Sequence, residues 1–165
     1  FYVIVDPQKN FSGVQDFTAS EIIRMSQQVR KRINEKYPDH FVHPENSSIH
    51  GATHMLWTGD PLDATSSGRN AVFYGDKAID RSPCGTGTSA RMAQLFEKGK
   101  LVVGEEFIHE SYIGSRFVGR IEEVSQVGGQ RAIVPSIRGW AKVFGHNTIS
   151  IDPDDDPYAL GFQVI

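Results

Sequence analysis

The chain has 165 residues, of which 39% are hydrophobic and 22% are charged, and its formal net charge at pH 7 is -3. This length suffices for one domain with a buried core, and the composition excludes a chain that is disordered throughout. The charge balance gives no basic surface for nucleic acid and no polybasic membrane patch, and no apolar run approaches the roughly 20 residues that a membrane-spanning helix requires.

The first part of the chain predicts a strand, a long helix and a loop. Residues 1–6 read as a strand, and because the chain begins with Phe inside it, we expect a fragment of a longer polypeptide. Thr18 and Glu21 have the spacing of a capping box, and apolar residues then recur at helical spacing, which predicts a helix over 19–36. Residues 38–51, rich in Pro, His, Asn and Ser, predict a loop.

Two strands and a second helix are predicted in the middle of the chain. The strands cover 53–58 and 71–74, and a loop rich in turn-forming residues separates them over 59–68. Apolar residues from Ala90 onward then predict a helix that ends near Gly99.

The last third of the chain is rich in β-forming residues. Four runs separated by glycines predict an antiparallel meander, over 107–113, 116–124, 131–137 and 141–151. A turn-rich ending follows and closes with an apolar stretch over 161–165. The order of elements predicts a single α+β domain over 1–165, in which two helices pack against one strongly curved sheet.

The segment from Asp80 to Ser89 surrounds Cys84, the only cysteine, with glycines, a proline and hydroxyl residues just before the second helix. A lone thiol cannot form an internal disulfide, which excludes a disulfide-stapled secreted scaffold and favours a reducing, cytoplasmic location. Free cysteines are commonly buried and inert. The thiol is therefore either core filler or a chemically active group.

Physical chemistry supports an active thiol in this segment. The positive end of a helix favours thiolate over thiol at Cys84. Gly85 and Gly87 allow the backbone to approach a ligand closely, and the amides of residues 86–88 would form an anion site. Asp80 could accept a hydrogen bond from an amine. Together these groups describe a site for an α-amino acid with the thiolate aimed at Cα.

The run from Asp80 to Ala90, DRSPCGTGTSA, resembles the second catalytic motif of the proline racemase family, which includes racemases, epimerases and dehydratases of proline and hydroxyproline. The resemblance extends over nearly the whole chain. It implies a diaminopimelate-epimerase-like half, a curved, mostly antiparallel sheet around a central helix. The chain would be the second half of a two-lobed racemase whose N-terminal lobe lies outside it.

The resemblance also implies a mechanism without a cofactor or a metal. One cysteine removes the α-proton from one face of the amino acid, and a second cysteine returns a proton to the other face. The family's first cysteine lies in a Cys-Gly-His motif of the N-terminal half, and this sequence has no such motif. We therefore expect the isolated chain to lack one base and to be inactive.

Site residues carry over from the family position by position. Cys84 matches the second catalytic cysteine, and Asp80 matches the acidic residue that binds the substrate amine. Gly85 and Thr86 match the pair whose backbone amides hold the substrate carboxylate.

Two further positions bear on the substrate ring. His54 resembles a histidine that some hydroxyproline epimerases use near the ring hydroxyl, and Tyr74 resembles an aromatic residue of the ring pocket, although ordinary strand core explains it equally well. Cysteine at position 84, where the dehydratases have threonine, favours racemisation or epimerisation. The polar His54 favours 4-hydroxyproline, with proline as the alternative, because an apolar pocket cannot reward a ring hydroxyl.

Other hypotheses remain open from sequence. The same thiolate could serve another thiol enzyme, although the segment shows no adjacent base. The chain could instead be a non-catalytic half-domain that binds an imino acid or a partner chain. A half built to face another half should expose apolar surface, so we expect association with the missing lobe or with itself as a homodimer. The spacing of His40, His43, His50 and His54 matches no zinc site, and no metal is expected.

Overall fold

Two helices and one large sheet form the framework of the chain. The computed structural model describes residues 1–161, so residues 162–165 of the predicted apolar ending lie outside the described residues. The helices are α1 Ala19–Lys36 and α2 Gly85–Glu97. The strands are β1 Tyr2–Val5, β2 Val42–His43, β3 Asn46–His50, β4 His54–Gly59, β5 Gly68–Tyr74, β6 Ala78–Ile79, β7 Glu106–Glu110, β8 Arg116–Val127 and β9 Gln130–Arg138.

The large sheet has the strand order β1-β4-β5-β7-β8-β9, with β6 paired to β5. The pairs β1–β4 and β5–β7 are parallel, whereas β4–β5, β5–β6, β7–β8 and β8–β9 are antiparallel. The predicted α+β class with a curved, mostly antiparallel sheet is confirmed, and the two parallel pairs make the sheet mixed.

The sheet curls around α2. This helix contacts β1 at one edge of the sheet and β8 and β9 at the other, which requires the two edges to bend toward each other as a half-barrel. The longer α1 packs on the opposite face, against β4, β5 and β6. The start of α2 is therefore held on the concave face of the sheet.

The central strands are buried on both faces. On one face, Met55 and Phe73 pack in the core under α1. On the other face, Leu56 and Val72 pack against Cys84. Because side chains alternate along a strand, these continuous apolar runs supply both cores.

The predicted first helix is confirmed at both ends. Thr18 is the N-cap and forms a complete capping box with Glu21, and the helix ends at Lys36, two residues before Pro38. Among the described residues, no helix has the length and apolarity needed to cross a membrane.

Two sequence predictions are wrong. Residues 38–51 contain a hairpin of β2 and β3 instead of a loop. Its side chains are mostly exposed and polar, so no hydrophobic alternation reveals it. The predicted strand over 141–151 is absent, and Val143 and Phe144 are exposed there. A run of β-forming residues does not make a strand without a neighbouring strand to pair with.

Replacing Thr18 by alanine should lower the free energy of unfolding by about 1 kcal/mol, because the Glu21 amide then loses its side-chain acceptor. Urea denaturation measures the change. Thr18→Ser keeps the hydroxyl and should retain most of the stability. Equal losses in the two variants would contradict a role for the cap.

Candidate active site

Cys84 is the N-cap residue of α2, and its backbone has φ 65° and ψ 120°. It is the only non-glycine residue with positive φ among residues 1–161. Such a conformation costs about 1–3 kcal/mol and is characteristic of functional sites. It lets the sulfur accept the Gly87 amide at 3.3 Å while the carbonyl accepts the Thr88 amide at 2.8 Å.

This cap changes the predicted anion site. The amides of Gly87 and Thr88 are already engaged by Cys84, so the prediction is wrong for these two donors. The amides of Gly85 and Thr86 have no hydrogen-bond partner among the residues that the structure describes. They are the donors that remain for an anionic group at the helix N-terminus.

The peptide bond before Cys84 is held from both sides. Asn70 donates its side-chain amide to the Pro83 carbonyl at 2.8 Å, and the Cys84 amide donates to Ser82 Oγ at 3.0 Å. Ser82 in turn donates its amide and its hydroxyl to Asp80 Oδ1, each at 2.9 Å. These bonds fix the plane of the peptide and thereby support the strained conformation of Cys84.

His109 lies behind this segment and is fully buried. Its Nδ1 lies 2.9 Å from Thr88 Oγ1 and 3.3 Å from Asn70 Nδ2. Burial, assisted by the charge of Arg91, lowers the pKa of His109 to about 3, so the ring is neutral at pH 7. Through these two contacts the neutral ring connects β7 to the first turn of α2 and to Asn70 on β5.

A row of three rings crosses the sheet beside the sulfur. Tyr2 on β1 is paired in register with His54 on β4, and their ring centroids are 4.8 Å apart. The centroid of Tyr74 on β5 lies 6.5 Å from that of His54. All three rings share the face that carries Leu56 and Cys84, because strand side chains alternate.

Tyr2 is a site residue that the sequence analysis did not identify. Its hydroxyl lies 3.2 Å from Cys84 Sγ and 2.6 Å from Thr86 Oγ1. Burial, together with the hydrogen bond to Cys84, raises the pKa of Tyr2 above its ordinary value, so the phenol stays protonated at neutral pH. Alternation along β1 indicated that Tyr2 and Val3 face opposite sides, but it could not show which side faces the thiol.

His54 is held as a neutral ring. Burial, the N-terminal amine and Arg30 lower the pKa of His54, and the nearby Asp80 carboxylate opposes them. Its Nδ1 lies 2.8 Å from Thr53 Oγ1. A neutral imidazole offers one donor and one acceptor, which suits a polar but uncharged ligand group.

Asp80 is half-buried, and its two carboxylate oxygens have different surroundings. Oδ1 accepts both hydrogen bonds from Ser82, whereas Oδ2 has no hydrogen-bond partner within residues 1–161. The carboxylate also interacts electrostatically with Tyr2 and His54. Oδ2 is thus the carboxylate oxygen that remains for a cationic group.

The sulfur itself lies at the boundary between core and site. Cys84 is 9% exposed and packs on Leu56 and Val72, while its polar neighbours are the Tyr2 hydroxyl and the Gly87 amide. A cavity of about 320 Å³ adjoins the loop before it, lined by Arg81, Ser82, Ile113, Ser115, Phe117 and Trp140. No cluster of three or more side chains suited to a metal ion occurs in the described part of the chain.

Comparisons with known proteins agree on one family. The family model described as proline racemase matches residues 1–163. The 4-hydroxyproline 2-epimerase of Spirosoma linguale is 58% identical over 165 residues, which are 100% of this chain and 48% of that protein. The chain thus spans about half the length of the curated relatives it matches.

Two solved structures match with a TM-score of 0.74 and cover 99% of this chain and 46% of theirs. One is a probable proline racemase from Agrobacterium radiobacter with bound carbonate, at 32% identity. The other is a hydroxyproline epimerase from Agrobacterium vitis with bound trans-4-hydroxy-L-proline, at 28% identity.

Lowering the pH from 7 to 5 should reduce the free energy of unfolding by about 2 kcal/mol through His109 alone. In the unfolded chain the imidazole titrates near its ordinary pKa of about 6.5. In the folded chain the pKa is about 3, so only the unfolded state gains a proton over this window. Urea denaturation at both pH values measures the loss.

The matched control is His109→Gln, which keeps a hydrogen-bonding side chain that cannot titrate. Its stability should fall less between pH 7 and pH 5 than that of the unaltered chain. The same pH dependence in both proteins would rule out a neutral, buried His109.

Proposed function

Because the chain belongs to the proline racemase family, we propose that it is the second half of a 4-hydroxyproline 2-epimerase in which Cys84 is one of two catalytic thiols. The observation that carries the proposal is the sulfur of Cys84 at the N-terminus of α2, hydrogen-bonded by the Gly87 amide. The high identity to proteins named 4-hydroxyproline 2-epimerase supports the same activity.

The substrate would be held by its two charged ends. The amides of Gly85 and Thr86 are the donors for its carboxylate, and the helix dipole adds to their attraction. Asp80 Oδ2 is the acceptor for its cationic ring nitrogen. Two fixed ends leave the α-carbon little rotational freedom, so a thiolate beside them meets one face in a defined orientation.

Inversion would then need two proton transfers. The Cys84 thiolate takes the α-proton: an S–H bond forms, the C–H bond breaks, and the electron pair remains on a carbanion conjugated with the carboxylate. The amides at the carboxylate stabilise the charge that develops there. A second thiol then donates a proton to the opposite face. This chain has one cysteine, so the second base would come from the other half.

The row of three rings, with His54 at its centre, favours a substrate that carries a ring hydroxyl. A neutral imidazole can accept from or donate to a ring hydroxyl, and a site with such a partner discriminates against the analogue that lacks it. Tyr74 is 42% exposed beside His54, which suits a residue lining the ring pocket better than a core residue. Proline, the alternative substrate, would gain nothing from His54.

The segment after β9, over 139–161, would offer a surface for the other half. It carries large apolar side chains that are exposed, among them Trp140 at 71%, Phe144 at 99% and Leu160 at 89%. Several large apolar side chains exposed in one segment are what an interaction surface would provide. Since the relatives are about twice as long as this chain, we assign the surface to the half that they contain in addition.

The first test combines this chain with the first half of the Spirosoma linguale relative. Exchange of the α-proton of 4-hydroxyproline in deuterated water should require both halves, and each half alone should give none. Cys84→Ser should slow exchange at least about a hundredfold, because it removes a general base. Nuclear magnetic resonance or mass spectrometry follows the incorporated deuterium.

Ser26→Ala is the control for stability, since Ser26 bonds Trp57 in the core under α1 and lies in none of the proposed contacts. It should retain exchange. Full exchange in the Cys84→Ser protein would refute the proposal. Proline in place of 4-hydroxyproline should exchange more slowly, and faster exchange with proline would favour the alternative substrate.

The second test concerns assembly. Sedimentation velocity should show a one-to-one complex of this chain with the added half, weakened at least about tenfold by Phe144→Ser. The control Val102→Ser alters another exposed apolar residue, away from this segment, and should not weaken the complex. Sedimentation of the two halves as separate monomers would contradict the assignment of the surface.

A further inference from the structure

We propose that Tyr2 and Thr86 form a hydroxyl relay that satisfies the Cys84 sulfur both as thiolate and as thiol. The inference rests on the proposed function, in which this sulfur alternates between the two states. It assigns a catalytic contact to Tyr2 and a side-chain task to Thr86, in addition to the substrate contact proposed for the Thr86 amide.

The three groups form a closed set. Tyr2 Oη lies 3.2 Å from Cys84 Sγ and 2.6 Å from Thr86 Oγ1, and Sγ lies 3.6 Å from Thr86 Oγ1. Either atom of each pair can be the donor, because a hydroxyl or thiol hydrogen can rotate. Tyr2 makes the two shorter contacts, to the sulfur and to Thr86, and is therefore the central member.

With the sulfur as thiolate, the relay has one direction. The anion can only accept, and it takes the Gly87 amide and the Tyr2 hydroxyl hydrogen. The Tyr2 oxygen then accepts the hydrogen of Thr86. A hydrogen bond to an ionised partner is about twice as strong as a neutral one, so this arrangement stabilises the state that removes the α-proton.

With the sulfur as thiol, the direction reverses. The S–H can donate to the Tyr2 oxygen, and the Tyr2 hydroxyl then donates to Thr86 Oγ1. Only hydrogens rotate and no heavy atom has to move. Neither state leaves an unpaired polar group at the buried sulfur, which would cost about 1–3 kcal/mol.

The phenol does not give up its proton in this scheme. Burial and the contact with Cys84 raise the pKa of Tyr2, which opposes ionisation. The relay thus reorients hydrogens around the sulfur, while the substrate proton itself moves between carbon and sulfur. A phenylalanine would keep the stacked ring and lose the relay.

Titratable and charged groups near the relay come from four other places in the chain. Asp80 lies in the loop after β6, His54 on β4 and Arg30 on α1, and the N-terminal amine of Phe1 is adjacent to His54. None of them hydrogen-bonds the sulfur within the described structure. Their electrostatic influence is therefore the same in the unaltered chain and in a variant that lacks only the Tyr2 hydroxyl.

The test is the pH profile of Cys84 alkylation by iodoacetamide in the 165-residue chain. Tyr2→Phe should move the midpoint of the profile upward by about half to one pH unit, since the thiolate loses one donor. Below the midpoint, alkylation should then be about three- to tenfold slower. Thr86→Val, at an exposed side chain, should shift the midpoint the same way by less, and Thr86→Ser should restore it.

The matched control is Tyr112→Phe, which deletes a hydroxyl bonded to the Phe17 carbonyl, away from the sulfur. It should leave the midpoint unchanged. An unchanged or lowered midpoint in Tyr2→Phe overturns the relay. The proposed function fails separately, if the combined halves exchange no α-proton, so the two failures are distinguishable.

Discussion

The candidate site depends on the fixed peptide bond between Pro83 and Cys84. Asn70 on β5 donates to the carbonyl of this peptide, and the amide of the peptide donates to Ser82 Oγ. Ser82 is in turn hydrogen-bonded to Asp80. A positive φ at a residue with a side chain is unfavourable by itself, so the conformation persists only because both sides are anchored. With that plane fixed, Cys84 caps α2 with its carbonyl and its sulfur together, and the amides of Gly85 and Thr86 are left without a partner among the described residues.

The sheet register brings the rest of the site together. Tyr2 and His54 are adjacent because β1 and β4 pair in parallel, and Tyr74 follows because β4 and β5 pair as neighbours. The curl of the sheet then places this row of rings on the face that holds the start of α2. Alternation along β1 and β4 therefore places successive side chains on opposite faces of the sheet. Val3 and Met55 pack in the core under α1, whereas their neighbours in sequence lie on the face that holds the thiol.

Local signals predicted much of this structure, whereas long-range pairing did not show in the sequence. The capping box at Thr18 marked the start of α1 and Pro38 marked its end, and the residues around Cys84 indicated that the thiol lies at a helix N-terminus. The roles of Asn70 and His109 were not predictable, since their partners lie on another strand or helix of the fold. The hairpin within 38–51 is local, but its side chains are mostly exposed and polar, so no hydrophobic alternation indicated it. Residues 141–151 have β-forming composition, but in the structure they have no strand to pair with.

The lack of a side chain at Gly87 affects how far the solvent can influence the sulfur of Cys84. A methyl group at this position would meet Cys84 Cβ and Val72 Cγ2 at 3.2 Å and the sulfur at 3.3 Å, so the backbone lies directly against the thiol. Neither solvent nor a counterion can enter between the amide dipole and the sulfur. Ionic strength, which screens exposed charges over about 10 Å at 0.1 M salt, has little access to this contact. The field that this amide exerts on the sulfur is consequently set by the fold and hardly by the medium.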